Sequence, residues 1–374
     1  MLASFRDSRL SPAALVKALI ASAEQVGPAV NAFATTCFDR ALTQARAAEV
    51  KYAATGTRLR PLEGVPVVIK DLHPIAGEVT TAGSHAFAEQ RDSVTAPTVA
   101  RLFKAGAILL ARSTTSEFGI AGVTNTGLWG ATRNPWNLQY TAGGSSGGAG
   151  AALAAGLTTL ADGSDGGGSI RIPAAVNGLF GFKPPYGRNP ILGPANLDTY
   201  LHFGPLARTV ADGRLMQSVM AGWHPTDIAS LRQRVRLPQG AGSLKGWKIA
   251  FSMDLGYYDI DPEVRRNTLQ GLEVLRDLGA KVVEVDLGWT ERVLQAGSAR
   301  AASRAAVKRG PLLATWGNRI GEDARDVIER GAGVTTADLM QTEQAQAEMY
   351  DRLGPILARH RLLAEAAHQK GVSV

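Results

Sequence analysis

Val65-Pro-Val-Val-Ile-Lys-Asp71 is a β-branched run that stops on two charges. Consecutive apolar residues without alternation read as a strand buried on both faces, as in a parallel sheet. Lys70 therefore falls at the strand's tip. Working outward, residues 96–105 read as a helix closed by Gly106, and residues 107–111 as the next buried strand. Strand, helix, strand is the order that builds a parallel sheet. Before this core, Ser11-Pro12 reads as N-cap and first helical position for a helix over 13–25, and residues 38–54 form a second Ala-rich helix. After it, Gly204-Pro205 precedes another helix, and the polar stretch 238–246 reads as a connection. Residues 247–251 and 281–285 then read as strands around an amphipathic helix over 261–278, and the rest, through residue 367, as mostly helical. The fold class expected is α/β, a central mixed, largely parallel β-sheet covered on both faces by helices.

Composition narrows the functional classes. The chain has 374 residues, 45% hydrophobic and 20% charged, which is ordinary globular usage. Forty Lys and Arg against 33 Asp and Glu leave +7. The basic clusters at 232–236 and 300–309 are diluted by Ala, Val, Gln and Ser, with no aromatic residues interleaved for base stacking, so no nucleic-acid partner is expected. Cys37 is the single cysteine, which excludes an internal disulfide and a thiolate metal cluster. Lys17 interrupts the apolar stretch nearest the N-terminus, and no run reaches the roughly 18 apolar residues of a membrane span. A cytoplasmic protein with no membrane span is expected.

The unusual segment lies between residues 124 and 187, where Gly, Ser and Pro dominate. Two stretches stand out, Thr141-Ala-Gly-Gly-Ser-Ser-Gly-Gly148 and Gly163-Ser-Asp-Gly-Gly-Gly-Ser-Ile-Arg171, both read as loops around a small-residue helix and strand. Three glycines before Ser169 free the backbone to turn N–H groups toward a developing oxyanion. A serine there is suited to attack a carbonyl, and it needs a base. Neither stretch contains histidine. Lys70 is the other candidate, because a desolvated lysine gives up its proton readily. Gly144 to Gly148 also fits G-x-S-x-G with Ser146 as nucleophile, but residues 134–141 read as loop rather than the strand that motif needs. No phosphate-binding glycine motif is present.

VPVVIKD, GGSSGG and GSDGGGSIRIPA, in this order, resemble the amidase signature family, and the likeness continues through Gly181-Phe-Lys-Pro184 and DLGYYDIDPEV at 254–264. The resemblance implies Lys70 as catalytic base, Ser145 as proton bridge after a cis Gly144-Ser145 bond, and Ser169 as acyl-forming nucleophile. It assigns the oxyanion N–H groups to Gly166, Gly167, Gly168 and Ser169, and a backbone substrate contact to Gly119. Ser146, Asp165 and Arg171 are expected to support the site, the latter two as an ion pair. Trp129 and Tyr140 are read equally as pocket lining or as packing. The implied activity is hydrolysis of a linear small-molecule amide, with esters, anilides and carbamates sharing the same tetrahedral step, and with neither metal nor cofactor.

One amidase-type domain over 1–374 is implied, with N-terminal helices at 1–60, the signature core at 61–210 and a second α/β part at 245–374. Family members continue well beyond the equivalent of His360-Arg-Leu-Leu363, so a sheet incomplete at the C-terminus is expected. That leaves a second expectation open, a catalytically impaired member or an A-type amidotransferase subunit, its partner being a second copy in a homodimer or a completing subunit. Val176-Asn177 stands where relatives carry an aromatic and a cysteine, implying a more polar pocket. Gly166 replaces a bulkier residue, implying a looser oxyanion turn or a wider acyl group.

Overall fold

The computed structural model describes residues 1–366 apart from Arg234, Arg236, Gln239 and Ala241. Residue 367 and two arginines of the 232–236 cluster thus lie outside the described residues. The chain forms two compact units, one of residues 1–237 with 316–324, the other of 238–315 with residues from 325 onward.

The first unit opens with α1 (Leu2–Arg6), α2 (Pro12–Val30), β1 (Phe33–Thr36) and α3 (Phe38–Ala53). Ser11 caps α2, its Oγ accepting the Ala14 N–H at 2.9 Å. The helix outruns its expected end at residue 25, accommodating Pro28 in its last turn, and Asn31 closes it in the left-handed conformation, φ 54°. By length and composition α2 is long and apolar enough to cross a membrane, which corrects the expectation that no such run exists. It carries Lys17 and Glu24, and its Val16 and Leu19 are buried in the protein core.

Then follow β2 (Pro66–Lys70), α4 (Pro97–Lys104) and β3 (Ile108–Ser113), matching the anticipated strand-helix-strand order. Two small hairpins come next, β4 (Asn125–Thr126) with β5 (Gly130–Ala131) and β6 (Arg133–Asn134) with β7 (Asn137–Thr141), the second replacing the loop expected at 134–141. The unit's main run ends with α5 (Gly147–Ala154), β8 (Leu160–Asp165), α6 (Arg171–Val176), β9 (Phe180–Gly181), β10 (His202–Ala207) and α7 (Val210–Met220). Gly163, Ser164 and Asp165 are therefore strand, not loop. The sheet order is β1-β3-β2-β8-β10-β9, with β2 parallel to both β3 and β8 and antiparallel pairs outside them.

Alternation along β2 decides which helix meets which side chain. Val67 and Ile69 face the cluster that holds Leu102 of α4 and Met216 of α7. Val68 faces the opposite cluster, with Ala45 of α3 and Leu153 of α5. Helices thus cover both faces, and Lys70, two residues on from Val68, shares the α5 side.

In α5, Gly148 is required because neighbouring backbone passes close to the helix. A Cβ on Gly148 would stand 2.5 Å from both the Ala32 carbonyl oxygen and the Thr114 nitrogen. Alanine gains about 1 kcal/mol of helix propensity over glycine, but overpacking against backbone that cannot swing aside costs about 3 kcal/mol. Gly148→Ala is expected to lower the urea midpoint with the slope unchanged; a midpoint at or above the parental value would contradict this packing.

The second unit is built from β11 (Lys248–Ser252), α8 (Pro262–Asp277), β12 (Lys281–Glu284), α9 (Arg292–Trp316), α10 (Glu322–Ala332), α11 (Thr336–Arg359) and β13 (Leu362–Glu365), while residues 316–324, at the end of α9 and the start of α10, belong to the first unit. β11 is parallel to β12 on one side and β13 on the other. The sequence reading missed β13, since a four-residue strand after a 24-residue helix carries no periodic signal.

Candidate active site

Lys70 ends β2 and Ser145 lies two residues before α5, and the shared face of the sheet brings them together. Lys70 Nζ donates to Ser145 Oγ at 2.6 Å and to Ser164 Oγ, on β8, at 3.0 Å. Lys70 is fully buried, and burial pushes its ammonium down to about 7, against the attraction of Asp162 and Asp165. The Gly144-Ser145 peptide is cis. Ser145 is 1% exposed, and its carbonyl accepts the Ser116 N–H at 3.3 Å.

Ser169 follows β8 and is half-buried. Its carbonyl accepts the Ser146 N–H at 3.2 Å, tying the two serine segments together. The Ser169 and Ser145 hydroxyls are not hydrogen-bonded to each other. Ser146 directs its Oγ to the Ser164 carbonyl at 3.4 Å, with no histidine bonded to it among the described residues, unlike an elbow nucleophile. Gly119, at φ +74°, leaves room beside Ser145, since a Cβ there would stand 3.5 Å from Ser145 Oγ.

Asp165, at the end of β8, organises the glycine turn. Its side chain is fully buried and accepts the N–H groups of Gly168 at 2.7 Å, Ile170 at 3.2 Å and Arg171 at 3.3 Å. Arg171 grips both carboxylate oxygens at 2.9 Å, and Lys183 approaches at 3.2 Å. Burial works to raise the carboxyl's pKa, but the Arg171 hydrogen bonds, aided by Lys183 and the Gly168 N–H, hold it well below the ordinary range. The Gly168 N–H is thus committed to Asp165, which corrects its expected place among the oxyanion donors. Those of Gly166, Gly167 and Ser169 make no hydrogen bond among the described residues.

Other expectations change in the same light. Asn177 lines no pocket: it is fully buried and donates to the Ala142 and Pro173 carbonyls at 2.9 and 2.8 Å. Trp129 donates to Thr81 Oγ1 at 3.1 Å, a packing role, whereas Tyr140 is exposed. Residues not anticipated also converge here. Asp162 accepts the Lys70 backbone N–H, His73 bonds to Asp162, and Lys183 donates to the Gly166 carbonyl at 3.0 Å. Lys183 lies in the quoted Gly181-Phe-Lys-Pro184 stretch, the one signal that could have found it. Among the described residues no cluster of three His, Cys, Asp or Glu side chains is placed to hold a metal ion.

Comparison with known proteins identifies the family. The Amidase family model matches residues 14–360. An acylamidase of Rhodococcus erythropolis is 39% identical over 293 residues, covering 77% of this chain and 61% of that protein. The A subunit of the glutamyl-tRNA(Gln) amidotransferase of Acidothermus cellulolyticus is 36% identical over 348 residues, 89% of this chain and 69% of that protein. A bacterial aryl acylamidase of the amidase signature family superposes with a TM-score of 0.91 at 28% identity, covering 100% of this chain and 81% of that structure. The chain thus spans about three fifths of the length of the acylamidase.

Proposed function

The chain belongs to the amidase family, and from that membership we propose that it hydrolyses a carboxylic amide through an acyl-enzyme on Ser169. One observation carries the reading: a fully buried lysine, which burial pushes down to about 7, donates to the Ser145 hydroxyl at 2.6 Å. Neutral Lys70 draws a proton through Ser145 as Ser169 Oγ attacks the carbonyl carbon. The Ser145–Ser169 link closes when substrate is bound, as catalytic hydrogen bonds tighten in the complex. The oxyanion rests on the N–H groups of Gly166, Gly167 and Ser169, each such donor contributing about 3 kcal/mol in comparable sites. Ser145 then returns the proton to the leaving amine. Water enters, is deprotonated along the same route, and releases the acid. A linear amide or anilide suits this site, and esters and carbamates follow the same step.

The pH dependence follows with a definite sign. Lys70 acts when neutral, so kcat/KM is expected to rise through a midpoint near 7 and level off on the alkaline side. The measurement is a pH profile on a nitroanilide, combined with mass spectrometry of the Ser169 peptide for the acyl adduct. A flat profile between about pH 6 and pH 9 with chemistry rate-limiting, or an adduct on Ser146, would overturn the assignment.

The likeness to the A subunits of amidotransferases favours a second reading, in which a partner completes the activity. The two separate in one assay: the isolated chain acylated by simple anilides supports the first, and turnover of glutamine appearing only with an added partner supports the second. No acylation under either condition would favour a catalytically impaired member.

A further inference from the structure

Lys70 is held from behind by a buried pair that the mechanism has not used. Asp162, on β8, is fully buried and points one oxygen at each of two donors. Its Oδ1 accepts the Lys70 backbone N–H at 2.7 Å, and its Oδ2 lies 2.6 Å from His73 Nδ1. His73 is also fully buried, its ring stacked on Phe203 with centroids 3.8 Å apart. Arg112 closes the turn between them, donating to the His73 carbonyl at 2.7 Å and the Lys70 carbonyl at 3.2 Å. Burial holds the imidazole below its ordinary value, outweighing the pull of Asp162. The ring is therefore neutral and spends its one proton on Oδ2, while Nε2 stays without a partner.

We propose that Asp162, clamped by His73, is a positioning residue for Lys70: it fixes the lysine's backbone and supplies the negative charge that keeps the buried amine basic enough to take up a proton. The inference rests on the proposed Ser169–Ser145–Lys70 chemistry and deepens it. Desolvation alone drives a buried lysine far down, to where it is too weak a base to help a serine hydroxyl. A carboxylate nearby opposes that, and the charged groups around Lys70 are Asp162 and Asp165 on β8, Arg112 on β3 and Asp71 on its own segment, with the neutral but titratable His73 beside them. Asp165 is engaged by Arg171 and Lys183, and Asp71 lies 3.7 Å from Arg112. Asp162 is the carboxylate whose second oxygen is held by a neutral group, so its charge is the least offset by a neighbouring cation.

Three variants test this. Asp162→Asn keeps the shape and the acceptor for the Lys70 N–H but removes the charge. The acid limb of kcat/KM should move about one pH unit toward acid, and the alkaline plateau should fall about tenfold because the base is weaker. His73→Phe keeps the stack on Phe203 but leaves Oδ2 buried without a donor, so the carboxyl either neutralises or turns away, and the limb moves the same way. His73→Asn restores an N–H near the Nδ1 position and should return the limb to the parental pH.

Each profile is read twice, by anilide turnover and by fluorophosphonate labelling of Ser169, which needs no particular substrate. Labelling midpoints that move while no amide is turned over uphold this inference and sink the substrate reading. Unmoved midpoints in folded Asp162→Asn and His73→Phe overturn it; if Asp162→Asn does not fold, equal midpoints in the two His73 variants do so. Loss of folding in all three assigns the pair a structural role instead, and a parental Ser169 that resists labelling at every pH overturns both readings.

Discussion

Ser169→Ala should reduce amide turnover by about six orders of magnitude and leave the thermal melt where it was. The change deletes one half-exposed hydroxyl and nothing that holds the turn. The Ser146 N–H still reaches the residue 169 carbonyl, and Asp165 still gathers the surrounding N–H groups. Substrate binding should therefore survive, because the N–H groups of Gly166, Gly167 and residue 169 are untouched. What remains should be the rate that orientation and oxyanion contacts supply alone, about a thousandfold above water. Calorimetric titration with a slow anilide, alongside kcat, separates the two contributions. Parental turnover in this variant would end the acyl-enzyme reading, and lost binding together with lost turnover would point to a structural part for the hydroxyl.

Asp165→Ala is expected to cost about 3 to 5 kcal/mol of stability and to abolish activity with it. Arg171 and Lys183 would lose their carboxylate, and three backbone N–H groups would lose their acceptor, around a side chain with no exposed surface. The Arg171 side chain is 50% exposed, so its own share is screened by solvent. The cost comes chiefly from the N–H groups and from Lys183. The sign with pH follows from a carboxyl held below its ordinary value. Its contribution is complete above the unfolded carboxylate pKa of about 4 and drains away as pH falls below it. Urea midpoints at neutral pH and in acid should therefore differ more for the parent than for the variant. Equal differences would show that Asp165 does not carry this charge-linked stability.

The elements that could be read in the sequence are those whose cause is local. β2, α4 and β3 announce themselves by apolar runs and a closing glycine, and α8 by its period and its Asp261 cap. β10 was hidden because Gly204-Pro205 normally marks a turn. In the structure Gly204 is in a strand, and a side chain there would collide with the Phe182 carbonyl oxygen. That reason lies in a segment just past β9, more than twenty residues earlier, so no window of sequence displays it. The site divides the same way. Ser145 and Ser169 stood out because small residues and glycines surround them in unusual order, and Lys70 because it ends a β-branched run. Asp162 and His73 are 89 residues apart and lie in no distinctive pattern; only the sheet makes them partners.

The two glycine positions around the serines place unequal constraints on change. At Gly119 the backbone is left-handed, and an added side chain would come within 3.0 Å of Leu72 as well as beside Ser145. Gly166 and Gly167 have no atom within 4 Å of where a side chain would begin, and neither has a positive φ. The Gly119 side of the site is therefore rigid while the glycine turn is adjustable. Under the proposed mechanism, the acyl groups accepted can be retuned over generations at the glycine turn, residue by residue, without disturbing the proton path behind it.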